Sequence, residues 1–241
     1  MRSYHARRRD VTAREATRDD SNATPVFRRP GAGWPDDVML VGGDLRPAVV
    51  LDAYAGGLFP MHLGGHLAWW FPDPRGILPV DGMYISTSLE RARRRFEIRI
   101  DTAFDAVIEG CADPARPHGW INNDIIAAYR TLHEMGAAHS VEAWAKDDGM
   151  LAGGLYGVSI GGLFAADSKF YRRRDASKVA VAGLVDVLSS AGDGEQRLID
   201  VQWQTEHLAR LGVIEVGADE YLRRLEAALT LPDPDWAGSA L

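Results

Sequence analysis

With a single cysteine, Cys111, the chain can form no intramolecular disulfide, and a cysteine-rich structural zinc site is not expected. A reducing compartment, the cytoplasm, is therefore its expected setting. Long apolar runs are also missing. The stretch from Met150 to Phe164 is broken by glycines and too short to cross a bilayer, so no membrane association is expected. Behind the basic start, Met1 to Asp10, there is no apolar segment of the kind a secretory signal needs, and residues 1–24 read as a mobile extension. Excess positive charge is absent too: 27 Lys and Arg against 34 Asp and Glu leave a net charge of −7. That argues against indiscriminate binding to nucleic acid, so any such contact must be local. Two clusters could make it, Arg91 with Arg93, Arg94 and Arg95, and Arg172 to Arg174. The plain alternative is that both are solvated faces.

Without repeats or low-complexity tracts, the organisation is read from punctuation. Gly42-Gly43-Asp44 precedes a short helix, Pro47 to Ala55, which Gly56-Gly57 stops. The run Trp69-Trp70-Phe71-Pro72-Asp73-Pro74-Arg75 sets three aromatics against two prolines and reads as a rigid connector. It divides a small N-terminal domain, residues 25–74, from a larger one, residues 75–241.

After it the pattern is regular. A basic helix near Ser88 to Arg95 precedes a strand at Glu97 to Ile100, and Asp101 can cap a helix from Thr102 to Gly110. A helix from Asp124 to Met135 leads to strands at His139 to Trp144, Leu151 to Val158 and Gly162 to Ala166. Asp175 is placed to cap a helix from Ala176 to Ser189, and Leu198 to Gln202 reads as a buried strand. A helix stopping at Gly212, a short strand and a helix from Ala218 to Thr230 finish the chain. The order βααβββαβαβα suits a mixed sheet with helices on both faces. The histidines form no metal-binding pattern, and Ser168 and Ser177 have no base near them in sequence. Neither a metal, a cofactor nor a covalent serine mechanism is implied.

Asp200 and Gln202 stand two apart on the buried strand, so a regular strand would point both to one face. A carboxylate there can orient an amine or accept its proton. The amide can direct a carbonyl or an amine by hydrogen bonds but is too weak a base to deprotonate either. The plain alternative is that Asp200 caps a neighbouring element and Gln202 closes the strand.

Set in order along the chain, Gly42-Gly43-Asp44-Leu45, Gly57-Leu58-Phe59-Pro60, the Trp69–Arg75 run, Ile85-Ser86, Gly119-Trp120-Ile121 and His139-Ser140-Val141-Glu142 form a pattern. It continues through Gly153-Gly154-Leu155-Tyr156-Gly157-Val158, Phe164, Asp167-Ser168-Lys169-Phe170, Ala176-Ser177-Lys178 and Leu198-Ile199-Asp200-Val201-Gln202. In this ordered set the chain resembles the leucyl/phenylalanyl-tRNA–protein transferase family. The resemblance implies an α/β (α+β) fold with an acetyltransferase-like (GNAT-like) C-terminal domain. It implies a reaction in which leucine or phenylalanine leaves its aminoacyl-tRNA and joins the α-amine of a protein beginning with Arg or Lys, a tag for degradation. Aminoacylation of a small-molecule amine is the alternative, and the enzyme is expected to work as a monomer.

By the same resemblance Asp200 and Gln202 are the catalytic pair. Asp167, where the family has a glutamate, binds the acceptor with Glu142 as a possible second acid; the missing methylene withdraws that charge by about 1.5 Å. Leu155, Ile199 and Lys169 fall at donor side-chain positions, the lysine replacing a methionine. An ammonium in an apolar space is costly unless it pairs or snorkels out. Trp120 is expected to stack on the 3′ adenosine, with a core position as the plain alternative, and Met61 replaces a second tryptophan. Arg91, Arg94 and Arg95 align with positions that contact tRNA, while Thr87 replaces an arginine.

Overall fold

The computed structural model describes residues 26–29, 34–114 and 119–238, so the extension expected over residues 1–24 lies outside the described residues. Its first part is built of β1 (Phe27–Arg28), β2 (Val38–Gly42), α1 (Pro47–Ala55), β3 (Phe59–Leu63) and β4 (His66–Trp70). The strands form an antiparallel sheet in the order β1-β2-β4-β3. β3 and β4 are a hairpin closed by Gly64 and Gly65, both at positive φ, the conformation a two-residue hairpin turn demands. Trp69 and Trp70 therefore end a strand and are fully buried, contrary to the connector expected; the prolines follow the strand and do not interrupt it. Their indole N–H groups donate to the carbonyls of Gly42 (2.9 Å) and Met61 (3.2 Å).

The second part runs β5 (Arg75–Pro79), α2 (Thr87–Arg93), β6 (Phe96–Ile100), α3 (Phe104–Cys111), α4 (Asn123–Glu134), β7 (Ala138–Ala145), β8 (Leu151–Ile160) and β9 (Leu163–Tyr171). It continues with α5 (Ala176–Ser190), β10 (Leu198–Gln202), α6 (Glu206–Ala209), β11 (Ile214–Val216) and α7 (Ala218–Leu229). From β6 onward the order is the βααβββαβαβα read from the sequence. β5 was not foreseen, because a five-residue strand between Pro74 and Pro79 has no alternation long enough to read. The sheet runs β11-β5-β10-β9-β8-β7-β6, antiparallel except for the parallel pair β9 and β10. This mixed α/β architecture agrees with the acetyltransferase-like expectation.

Two expected caps are built differently. α3 starts from Ala103 without a side-chain cap, and the Asp101 carboxylate instead accepts from the Ser140 N–H (2.7 Å) and meets the His139 ring (2.7 Å). Asp175 precedes α5 in the left-handed region (φ 69°), with its carboxylate turned to Lys178 and Arg95 and not to the helix N–H groups.

One face of the large sheet buries α5, with Leu184 and Val141 in a core that includes Leu155, Phe164 and Ile199. The opposite face buries α3 and α4 in a second core shared with the small sheet and α1. That sharing matters for function: it sets Tyr54, Phe59 and Met61 from the first part of the chain against β9 and β10 from the second.

β8 passes close to β9 at a register shift between Tyr156 and Gly157, and a Cβ on Gly157 would lie 2.0 Å from the Ala165 carbonyl oxygen. Both groups are backbone, so no rotamer change can relieve the clash. Gly157→Ala is expected to lose at least about 2 kcal/mol of stability, read as a lower urea midpoint at an unchanged m-value.

Candidate active site

β10 does not stay regular to its end. Its register against β5 slips between Asp200 and Gln202, and Gln202 takes a positive φ of 61°. The expected common face of Asp200 and Gln202 is therefore not found, because the bulge breaks the two-residue alternation. Ile199, Val201 and Gln202 line a cavity of about 270 Å³, whereas Asp200 points away from it.

Asp200 is 1% exposed and fully engaged. Its carboxylate accepts from Arg75 Nε (2.8 Å) and Nη2 (2.6 Å), from the Tyr221 hydroxyl (2.9 Å) and from the backbone N–H of Gln202 (2.9 Å). Arg75 is completely buried, its guanidinium 4.5–5.5 Å from the ring centroids of Tyr221, Phe59 and Phe71. So Asp200 is not poised to take a proton from a molecule in the cavity. What it does is tie the bulge to a buried cation and so set where Gln202 points. Neither Arg75 nor Tyr221 was singled out from the sequence. The available signal was an arginine directly after an apolar, proline-bounded run, where a buried cation requires a carboxylate.

In the orientation that satisfies its hydrogen bonds, the Gln202 amide nitrogen donates to the carbonyls of Val201 (3.1 Å) and Ala166 (3.2 Å). The side-chain oxygen, an acceptor only, is the group left to receive an N–H. Of the two expected uses of this amide, directing an amine is the one the geometry leaves open.

The cavity has an apolar floor and a mixed rim. Leu155 and Ile199, each 1% exposed, lie in the floor with Leu78 and Leu184. Lys169, opposite Leu155 across β8 and β9, lines both this cavity and an adjoining cleft with Phe170 and Arg172, which places it at the mouth. Met61 and Trp120 also line the cavity and are half-buried. Trp203, which no motif in the sequence marks, joins them, edge-on to Phe59 (5.2 Å) and Trp70 (5.9 Å) and bonded through Nε1 to Asp37 (3.1 Å).

Asp167 faces the same space from β9. The Tyr54 hydroxyl donates to its Oδ1 at 2.6 Å and is itself hydrogen-bonded to the Tyr129 hydroxyl. Oδ2 is screened from solvent and has no partner among the described residues. Burial pushes this carboxyl well above the usual carboxylate range, and the Tyr54 hydrogen bond offsets only part of that. Burial likewise pushes the phenols of Tyr54 and Tyr129 well above their ordinary value, so both remain donors. Burial thus favours the protonated form of the expected carboxylate, and a cation beside it would favour the ionised form.

Glu142 corrects an expectation. It is wholly buried on β7, with β8 between it and β9, and accepts from Thr102 Oγ1, the Ala103 N–H (2.8 Å), Ser140 Oγ (2.9 Å) and Trp144 Nε1 (2.9 Å). With every lone pair used at the start of α3, it does not reach the cavity. Arg91 and Arg94 are exposed at the end of α2, and Arg95 meets Asp175 at 3.5 Å. Among the described residues no group of three His, Cys, Asp or Glu could hold a metal ion, and no helix is long and apolar enough to cross a membrane.

Two family models match the chain in order. The model described as the leucyl/phenylalanyl-tRNA protein transferase N-terminal domain covers residues 43–73, and the leucyl/phenylalanyl-tRNA protein transferase model covers residues 77–226. A leucyl/phenylalanyl-tRNA–protein transferase of Oleidesulfovibrio alaskensis is 44% identical over 215 residues, covering 86% of each chain. The proteins of that name from Anaeromyxobacter sp. strain K and Chromobacterium violaceum are 44% and 43% identical, over 86% and 83% of this chain and 90% and 86% of theirs. Among solved structures, L-PGS from Bacillus licheniformis overlaps 75% of this chain and 62% of its own at 10% identity, with a TM-score of 0.34.

Arg75→Met leaves the Asp200 charge buried without its partner and is expected to cost about 3–5 kcal/mol. Adding Asp200→Leu removes the stranded charge, so the double variant should regain most of that loss. Urea unfolding of the two single variants and the double variant measures the coupling.

Proposed function

Because the chain belongs to the leucyl/phenylalanyl-tRNA protein transferase family, we propose that this cavity is where leucine or phenylalanine passes from the 3′ end of its tRNA to the N-terminal amine of a protein. The protein is an aminoacyl-tRNA-dependent aminoacyltransferase. The names its relatives carry favour a protein acceptor over a small-molecule amine. One observation supports the assignment of the site above the others: a single cavity joins an apolar floor to an acceptor-only oxygen on Gln202 and a partnerless carboxyl oxygen on Asp167.

An aminoacyl ester on a ribose is already activated, and the attacking α-amine has an ordinary pKa of about 8. The site needs position more than a strong base. The donor side chain enters the floor between Leu155 and Ile199, and its ester lies at the rim. Trp120 and Met61 flank the terminal adenosine, with Lys169 turned to the mouth so that the floor stays apolar. The Gln202 oxygen accepts an N–H of the incoming amine and aims its lone pair at the ester carbon. As the C–N bond forms, the nitrogen gives up its proton and the ribose 3′ oxygen leaves with one. Asp200 acts at one remove, through the bulge that carries Gln202.

Asp167 confers the preference for N-terminal Arg or Lys. A cationic side chain placed beside Oδ2 draws the proton off the acid and pairs with it, while Tyr54 holds the other oxygen. The segment 25–74 thus contributes Tyr54, Phe59 and Met61 as one wall, and residues 75–241 contribute the floor and Gln202. Arg91, Arg94 and Arg95 meet the tRNA backbone, and the enzyme works as a monomer in the cytoplasm.

Labelled leucine should move from Leu-tRNA to a peptide beginning with Arg. Gln202→Ala should lower kcat/KM about a hundredfold, and Asp200→Ala should impair transfer severely by releasing the bulge. No transfer to any peptide from any charged tRNA would sink this reading.

Asp167 also predicts a pH dependence. Its folded-state pKa is raised, so the stability it contributes is present below about pH 4, its unfolded value, and is lost as pH rises through the folded value. Asp167→Asn should therefore gain in melting temperature relative to the parent as pH rises from acid to alkaline. Over the same range KM of the parent for an Arg-initiated peptide should fall, with no such trend in Asp167→Asn.

A further inference from the structure

An acidic chain that gathers cations in one place marks that place. Beside the cavity lies a cleft of about 580 Å³ between the start of α2, the start of α5 and the turn after α6. Leu211 lines both spaces, so the two adjoin. Lys178, His207 and Arg210 face the cleft, with the hydroxyls of Ser86 and Ser88 and the 65% exposed ring of Tyr84. Asp175 is the one carboxylate in its lining, and it already meets Lys178 (3.3 Å), Arg95 (3.5 Å) and Arg174 (3.8 Å). Positive charge is therefore in excess.

His207 registers that excess. Burial pushes its pKa down, and the charges of Lys169, Lys178 and Arg210 push it in the same direction. The cleft on the other side of Lys169 is different: Glu109 and Asp113 there stand against Lys169 and Arg172, so its lining has no excess of positive charge.

We propose that the cleft walled by Lys178, His207 and Arg210 holds the phosphodiester backbone of the single-stranded 3′ end of the donor RNA, just upstream of the nucleotide whose ester enters the cavity. The inference rests on the transferase reading of that cavity. With the aminoacyl group in the apolar floor and the terminal sugar at the rim, the preceding phosphates must leave along an adjoining surface, and this is the one with matching charge. Lys178 and Arg210 supply the charge, Ser86 and Ser88 supply hydroxyl donors, and Tyr84 offers an exposed face for an unstacked base. α2 begins at this rim, and Arg91 and Arg94 lie farther along it, so a backbone leaving the cleft continues past them.

The test uses the full chain and two donors, Leu-tRNA and leucyl-adenosine, which has no phosphate. In the double variant Lys178→Gln/Arg210→Gln, KM for Leu-tRNA should rise about tenfold, and the slope of log KM against log salt should fall by about 1.4, the loss of two single-strand phosphate contacts. KM for leucyl-adenosine and for the peptide should not change. An unchanged KM and salt slope for Leu-tRNA overturns the proposal. So does equal damage with both donors, which would mean a disturbed cavity, or a rise confined to the peptide KM, which would mean an acceptor site. Wild-type transfer from Leu-tRNA reports on the transferase reading itself: its absence overturns both, whereas its presence with a Leu-tRNA KM unaffected in the double variant overturns the cleft alone.

Discussion

The buried pair of Arg75 and Asp200 is the constraint on which the site depends. Two opposite charges with 0% and 1% exposed side chains are tolerable only because the guanidinium makes two hydrogen bonds to the carboxylate and is enclosed by aromatic faces. The pair joins β5 to β10 at the point where their register slips. The carboxylate that neutralises Arg75 also holds the Gln202 backbone N–H, so the strained turn of β10 and the burial of the arginine stabilise each other. Tyr221 brings α7 into the same cluster, and Phe59 brings the small sheet.

Around this anchor, polarity is graded. The floor offers only hydrocarbon, the rim offers an amide oxygen and aromatic rings, and Asp167 sits between them with one oxygen satisfied and one not. A neutral acid costs little to bury, while its ionised form requires a cation beside it. Such a group suits a site that must be stable when empty and selective when filled. Tyr54 donates to the acid and accepts from Tyr129, and burial keeps both phenols protonated.

Much of the scaffold was legible because it rests on local rules. The helix Pro47–Ala55, bounded by a proline and glycines, and the strand Leu198–Gln202 stand where they were read, and the element order from β6 onward follows from hydrophobic periodicity. β4 and β5 were missed for a local reason as well: prolines beside short apolar runs mimic a connector when the hydrogen-bonding partners are unknown. Asp101 and Asp175 have the residue type and position of caps, yet each carboxylate is claimed by a nearer or more highly charged partner, a competition that spacing does not reveal.

At the site the division is sharper. The sequence by itself determined the family, the class of fold and which residues gather, since Met61, Trp120, Leu155, Asp167, Lys169, Ile199 and Gln202 all line one cavity. Only the tertiary structure decided what each can do there. It turned Asp200 away through a bulge, closed Glu142 off with four hydrogen bonds, set Lys169 where the cavity meets an adjoining cleft and raised the pKa of Asp167 by burial. The physical reason is that periodicity and motif order are properties of neighbours along the chain. Burial, charge pairing and hydrogen-bond saturation depend on partners as distant as Arg75 from Asp200 or Tyr54 from Asp167, and those meet only when the chain is folded.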